Sequence, residues 1–193
     1  MDIAMKKCMT PKARVSFPHV FEAHAMAEGQ EKKFSCVFLF DKKTDLAPLK
    51  KAAHNAAVEK WGGDKTKWPK NLKQPFRDGD EKSDLKGYAG TIYVTATSKK
   101  RPGVVAADAQ TPLTDDVDFY PGCYARATLI AFAYDTNGNK GVSFSLQNIQ
   151  KLGDGEKFSG RKAASEEFDA VEDGSDDPSN FSSGFDDDDE AGF

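Results

Sequence analysis

GCYARATLIAFAYDTNGNKGVSFSLQNI, residues 122–149, is the stretch on which the fold turns. Asn137-Gly138 separates two runs of alternating side chains. Because this residue pair accepts the positive φ angles of a two-residue reversal, the spacing predicts a β-hairpin. In the first arm Cys123, Ala125, Ala127, Leu129, Ala131 and Ala133 share a face of small apolar groups, as the interior of a tightly curved barrel needs. The opposite face starts with Tyr124, Arg126 and Thr128 and turns apolar at Ile130 and Phe132. The second arm alternates Val142, Phe144 and Leu146 against Ser143, Ser145 and Gln147.

Working outward, Tyr88 to Thr97 alternates Ile92, Val94 and Ala96 with Thr91, Tyr93, Thr95 and Thr97, which predicts a strand with one core face and one wettable face carrying Tyr93. Glu31 to Phe40 is apolar on both faces and reads as a strand covered on both sides. Ala13, Val15 and Phe17, within Pro11 to Phe21, predict a first strand with those three on one face. Between the second and third strands, Thr44 or Asp45 caps a helix running to about Lys60, with Leu46, Leu49, Ala53 and Ala56 along one side and Pro48 in the first turn. Lys60 to Lys86 dissolves into a long polar segment holding Trp61 and Trp68 among lysines, where the two rings could stack on bases, although packing on the barrel or helix is the plainer reading. Together these give a mostly β fold: a small antiparallel barrel of the OB type with one main helix and long loops.

Charge divides the chain differently from hydropathy. All 27 Lys and Arg residues fall within residues 1–162, while twelve of the 31 acidic residues follow Lys162, so a body of net charge +8 carries a tail of −12. Residues 1–162 are therefore expected to fold as one domain. Residues 163–193 are expected to remain a disordered acidic segment, because like charges repel and little apolar surface is present to bury. The segment closes with Asp186, Asp187, Asp188, Asp189, Glu190 and, at the end, Phe193, a composition suited to a basic partner pocket with an apolar floor. Three widely separated cysteines, with no zinc spacing, fit a reducing compartment. Met1 to Thr10 lacks the apolar run of a signal peptide or membrane span.

No P-loop, GxGxxG or nucleophile motif is present. Neither a catalytic residue nor a metal or cofactor is expected. Asp78 and Asp80, in an Asp/Gly turn, could in principle hold Mg²⁺ and would make the protein a metal-dependent nuclease or junction-processing enzyme, although a solvated turn is the plainer reading. Binding features are better populated. Capture of single-stranded nucleic acid needs cations for phosphates and rings for bases. Tyr93 and Tyr124 would supply the rings, and Lys73, Arg77, Lys86, Lys99, Lys100, Arg101 and Arg126 the cations. A third alternative is a pure adaptor whose tail is its whole function.

Two stretches carry a more specific likeness. YPGCYARA at residues 120–127, followed by GVSFSLQNIQKLGDGE at residues 141–156, resembles a family of single-stranded DNA-binding proteins of tailed bacteriophages. The likeness runs over most of residues 10–162, and the acidic, Phe-ended tail is similar to those of phage and bacterial single-strand binders generally. This resemblance implies an OB-fold, a role in phage DNA replication, recombination and repair, and tail contacts with phage or host replication proteins in the cytoplasm of an infected bacterium. Duplex DNA binding and self-association are compatible with it and are left open by the sequence.

Overall fold

The computed structural model describes residues 6–158. Eight strands, β1 (Lys7–Met9), β2 (Ala13–His24), β3 (Lys33–Asp41), β4 (Phe76–Asp78), β5 (Thr91–Ser98), β6 (Gly103–Val105), β7 (Tyr124–Thr136) and β8 (Asn139–Gly153), accompany one helix, α1 (Ala47–Trp61). They form a single sheet in the order β1-β7-β2-β3-β5-β8-β6, with β4 added on β5 and a further pairing of β7 with β8. That extra pairing lets the path β7-β2-β3-β5-β8 return to β7, which is a five-stranded ring. The ring is not a clean barrel. β5 meets β8 through two parallel residue pairs, Ala96–Phe144 and Thr97–Ser145, and β2 meets β7 through two antiparallel ones.

The β7–β8 hairpin is the longest ladder, running from Tyr124 opposite Gly153 to Thr136 opposite Asn139. Asn137 and Gly138 adopt φ of 50° and 78°, the positive angles of the expected reversal. Ala125, Ala127 and Leu129 point inward with Phe144, Leu146 and Ile149, and Leu49 of α1 is among the residues of the same core. The helix starts just after the expected cap: Leu46, not Thr44 or Asp45, is its N-cap residue and no side chain caps it. Asp45 accepts a hydrogen bond from the Ala47 amide at 2.9 Å in the turn leading in, and Pro48 sits in the first turn. It buries Leu49, Ala53, Ala56 and Ala57. Trp61 and Trp68 pack against the core at its C-terminal end, with the Trp68 indole donating to the Gly62 carbonyl at 2.8 Å.

β3 is buried on both faces, as its sequence predicts. Cys36, Phe38 and Phe40 enter the main core, whereas Val37 and Leu39 join a second cluster with Tyr88 and Tyr93, flanked by Leu85 and Phe158. Two expectations need correction. Phe17 does not share the inward face of Ala13 and Val15; it is exposed, at φ 43°, where the β2–β3 register slips between Ser16 and His19. Pro18 supplies the reason, since it has no N–H for the ladder and the strand bulges beside it. Tyr93 is the second. Its face of β5 is not a wettable surface: the ring is 5 % exposed, edge-on to Tyr88, because the segment between β4 and β5 folds over it.

Candidate nucleic-acid interface

The base of β7 gathers cations around aromatic rings. Ala13 and Val15 of β2 face the core, so Lys12 and Arg14, alternating with them, face out. Lys12 Nζ stands 5.2 Å from the centre of the Tyr124 ring, and the Arg14 guanidinium carbon lies 5.4 Å from it. Arg14 also lies 4.3 Å from the centre of the Phe158 ring. Its position is fixed by donation from Nε and Nη2 to the Gly122 carbonyl at 3.2 and 3.1 Å, and from Nη2 to the Glu156 carbonyl at 2.7 Å. Gly122 is required at this crossing. It has φ of 106°, and an added Cβ would stand 2.0 Å from the Glu156 oxygen. Nearby, Lys151 and Lys157 each approach the Tyr120 ring to 5.1 Å. The Tyr120 hydroxyl donates to Asp154 at 2.8 Å.

This surface has rings with cations beside them, the two elements that bases and phosphates need. Of the residues expected from sequence, Tyr124 stands at its centre, half-buried. Lys86 reaches it through Glu156, at 2.6 Å. Arg126 lies two residues along β7, where its Nε donates to Gln150 Oε1 at 2.8 Å. Arg77 pairs with Tyr93 in the β4–β5 register and approaches Glu81 at 3.7 Å. Tyr93 lies beneath the surface, and Lys82 stands 5.1 Å from its ring centre. As placed, Tyr93 presents no free face to a base, which corrects its expected exposure.

The remaining cations sit elsewhere. Lys73 binds Asn139 Oδ1 at 2.8 Å near the tip of the β7–β8 hairpin, the opposite end from Tyr124. Lys99, Lys100 and Arg101 follow the end of β5, about 17 Å along that strand from Tyr93 at ~3.3 Å per residue. There Lys99 meets Glu31 at 3.0 Å, and Arg101 lies 5.6 Å from the centre of the Phe21 ring. The stacked imidazoles of His19 and His24, 4.4 Å apart, lie on the same strand as Phe21. Asp186 to Glu190 and Phe193 fall outside the described residues.

Sequence reasoning missed Lys12, Arg14, Lys82, Lys157 and Phe158. Lys12 and Arg14 were visible as the outward partners of Ala13 and Val15. Phe158 had no such signal, because it stands in an irregular glycine-containing exit with no periodicity to assign it a face.

Asp78 and Asp80 are committed to another task. Lys42 Nζ is 2.9 Å from Asp78 and also contacts Asp80. Asp80 accepts the Gly90 amide at 2.7 Å, and Asp78 the Asp80 amide at 3.0 Å. The pair therefore clasps the loop that covers Tyr93. Among the described residues no three His, Cys, Asp or Glu side chains gather as a metal ion would need. Backbone amides first, then Lys42, hold both carboxyls below their usual range, while Asp80 and then Asp78 raise the Lys42 ammonium. Since the folded carboxylates titrate lower than in the unfolded chain, their contribution is full above about pH 4 and disappears as pH falls through the lower folded value. Melting temperatures of the wild type and Asp80→Asn, measured from neutral to acid, should differ by a constant amount that closes below about pH 4.

The profile of a family described as Enterobacter phage Enc34, ssDNA-binding protein matches residues 6–179. Putative protein p50 of Acyrthosiphon pisum secondary endosymbiont phage 1 is 38 % identical over 165 residues, covering 81 % of this chain and 89 % of that one. Among solved structures, the single-stranded DNA-binding protein from bacteriophage Enc34 in complex with ssDNA superimposes with a TM-score of 0.68 at 21 % identity, covering 80 % of this chain and 90 % of the other. The single-stranded DNA-binding protein gp2.5 of bacteriophage T7 gives a TM-score of 0.52 at 12 % identity, with 83 % and 99 % coverage.

Proposed function

The chain belongs to the family of the Enterobacter phage Enc34 ssDNA-binding protein, and from that premise we propose that it binds single-stranded DNA with little sequence preference and without catalysis. The observation that carries this reading is the cation-flanked ring of Tyr124, with Lys12 and Arg14 at 5.2 and 5.4 Å, on the body that holds every Lys and Arg of the chain. Phosphates meet Lys12, Arg14, Lys82 and Lys86, with Arg77 and Arg126 at the margins, and a base stacks on Tyr124. Lys99, Lys100 and Arg101 extend the cationic track along the far end of β5, and Lys73 along the hairpin.

The acidic residues after Lys162 compete with DNA for this surface, because a tethered polyanion offers the same charge that the phosphates do. When DNA displaces it, Asp186, Asp187, Asp188, Asp189, Glu190 and Phe193 become available to basic pockets on phage or host replication proteins. On this reading the protein acts in DNA replication, recombination and repair, in the cytoplasm of the infected host cell. Asp78 and Asp80 serve Lys42 and the loop around it, so the nuclease alternative has no support in the geometry.

Fluorescence anisotropy with labelled oligo-dT and duplex, across salt, tests the reading. Affinity for oligo-dT should fall with a log-log slope of about −0.7 per phosphate neutralised. Binding absent even at low salt would overturn the assignment. Removing Asp186 to Phe193 should tighten oligo-dT binding most at low salt and abolish recruitment of a replication partner; equal affinity with and without the tail at low salt would remove the competition.

A further inference from the structure

The last described stretch, Asp154-Gly155-Glu156-Lys157-Phe158, lies on the cationic surface with its charges and its ring in separate seats. Asp154 sits 2.7 Å from Lys151, and Glu156 sits 2.6 Å from Lys86. Phe158 lies 4.3 Å from the Arg14 guanidinium carbon and packs on the cluster of Val37, Leu39, Tyr88 and Tyr93. Its seat depends on Gly87, where φ is 86° and an added Cβ would stand 2.2 Å from the Phe158 ring. A flat ring stacked on a guanidinium, with carboxylates on neighbouring ammonium groups, has the chemistry of a base flanked by phosphates.

The stretch is held by contacts that a polyanion can replace. Three of the five bonds to its backbone come from cations or from the Tyr120 hydroxyl: Arg14 donates to the Glu156 carbonyl at 2.7 Å, Lys86 to the Lys157 carbonyl at 3.3 Å and Tyr120 to the Gly155 carbonyl at 3.3 Å, while the Phe158 amide donates to the Pro121 carbonyl at 3.0 Å and the Gly155 amide to the Tyr120 hydroxyl at 3.2 Å. The Lys86–Glu156 pair is open to water, with side chains 51 % and 69 % exposed. Exposed pairs of this kind contribute little and weaken with salt. Phe158 gains more from its seat, yet a nucleobase offers that seat an aromatic face of comparable character.

We propose that residues 154–158 are a built-in nucleotide mimic, in which Phe158 fills a base-binding seat walled by Arg14, Gly87 and Tyr93, and Glu156 fills a phosphate seat at Lys86. Single-stranded DNA lifts the segment and takes both seats. The proposal rests on the single-strand binding reached above, but differs from competition by the acidic tail because every group it uses precedes residue 159.

Full-length wild type, Glu156→Gln and Phe158→Ala are titrated with labelled oligo-dT at low salt, with Glu59→Gln as a matched control. Glu59 pairs with Lys6 at 2.7 Å on the α1 side, so its loss frees a lysine elsewhere. Glu156→Gln and Phe158→Ala should each bind about fivefold more tightly than wild type, and Glu59→Gln equally to it. Glu156 is exposed, so its variant folds even where Phe158→Ala does not. Hydrogen exchange supplies a second reading: on adding oligo-dT to wild type, the peptide spanning residues 154–158 should lose protection. Wild-type binding decides the single-strand reading, and the ratio of variant to wild type decides the mimic. Unchanged or weaker binding by Glu156→Gln, an equal gain in Glu59→Gln, or a segment that gains protection with DNA would overturn the mimic while leaving that reading intact.

Discussion

Replacing Tyr124 with alanine lowers affinity for oligo-dT by about 1–3 kcal/mol, roughly 5- to 150-fold, the span measured for loss of one base–aromatic stack. The size follows from where the ring stands. Tyr124 opens β7 and is anchored by pairing to Gly153 and Arg14, so it offers its face without first having to be ordered. Lys12 and Arg14 lie over that ring, so a base that stacks on it takes the place of a cation and leaves that cation to its own phosphate. Tyr124→Phe keeps the ring and should retain most of the affinity. Both are measured by anisotropy at one salt concentration, with melting curves to show that the fold survives. Wild-type affinity in Tyr124→Ala would remove this ring from the interface.

Tyr93 shows where the sequence stopped being legible. It shares a polar strand face with Thr91, Thr95 and Thr97, and alternation alone assigns that face to water. What buries it comes from elsewhere in the chain: Tyr88 and Leu85 from an irregular loop, and Phe158 from the exit of the domain. No periodicity announces a cover made of loop residues, since their placement is decided by tertiary packing and by the Lys42 clasp on Asp78 and Asp80. The β7–β8 hairpin was legible for the opposite reason. From Leu129 to the turn its register is fixed by local alternation and by a turn pair whose backbone angles few other residues accept, and it slips only between Thr128 and Leu129 and between Tyr124 and Ala125. Arg14 falls between these cases. Its outward direction could be read from Ala13 and Val15, but its value to the site arises from Gly122, Tyr124 and Phe158, all more than a hundred residues away. Cations could be counted from the sequence; which of them share a surface with a ring could not.

Phe38→Ala should destabilise the domain by about 3–5 kcal/mol, the usual cost of emptying an aromatic site in a packed core. Phe38 is fully buried in the middle of β3, the strand on which both apolar clusters depend. It pairs with Val15 on one side and Val94 on the other, so the ring is bounded by two strands of the same sheet that cannot collapse independently into the void. At about 2–4 °C per kcal/mol for a domain of this size, the melting temperature should fall by roughly 6–20 °C. The functional consequence differs from that of Tyr124→Ala. Below its own transition the Phe38 variant should bind oligo-dT nearly as well as wild type, because Arg14 and Tyr124 are carried by β2 and β7 and Lys12 directly precedes β2. A Phe38 variant that melts normally but binds poorly would mean that the inner face of β3 governs the outer surface directly, and that the two clusters do not act as separate layers.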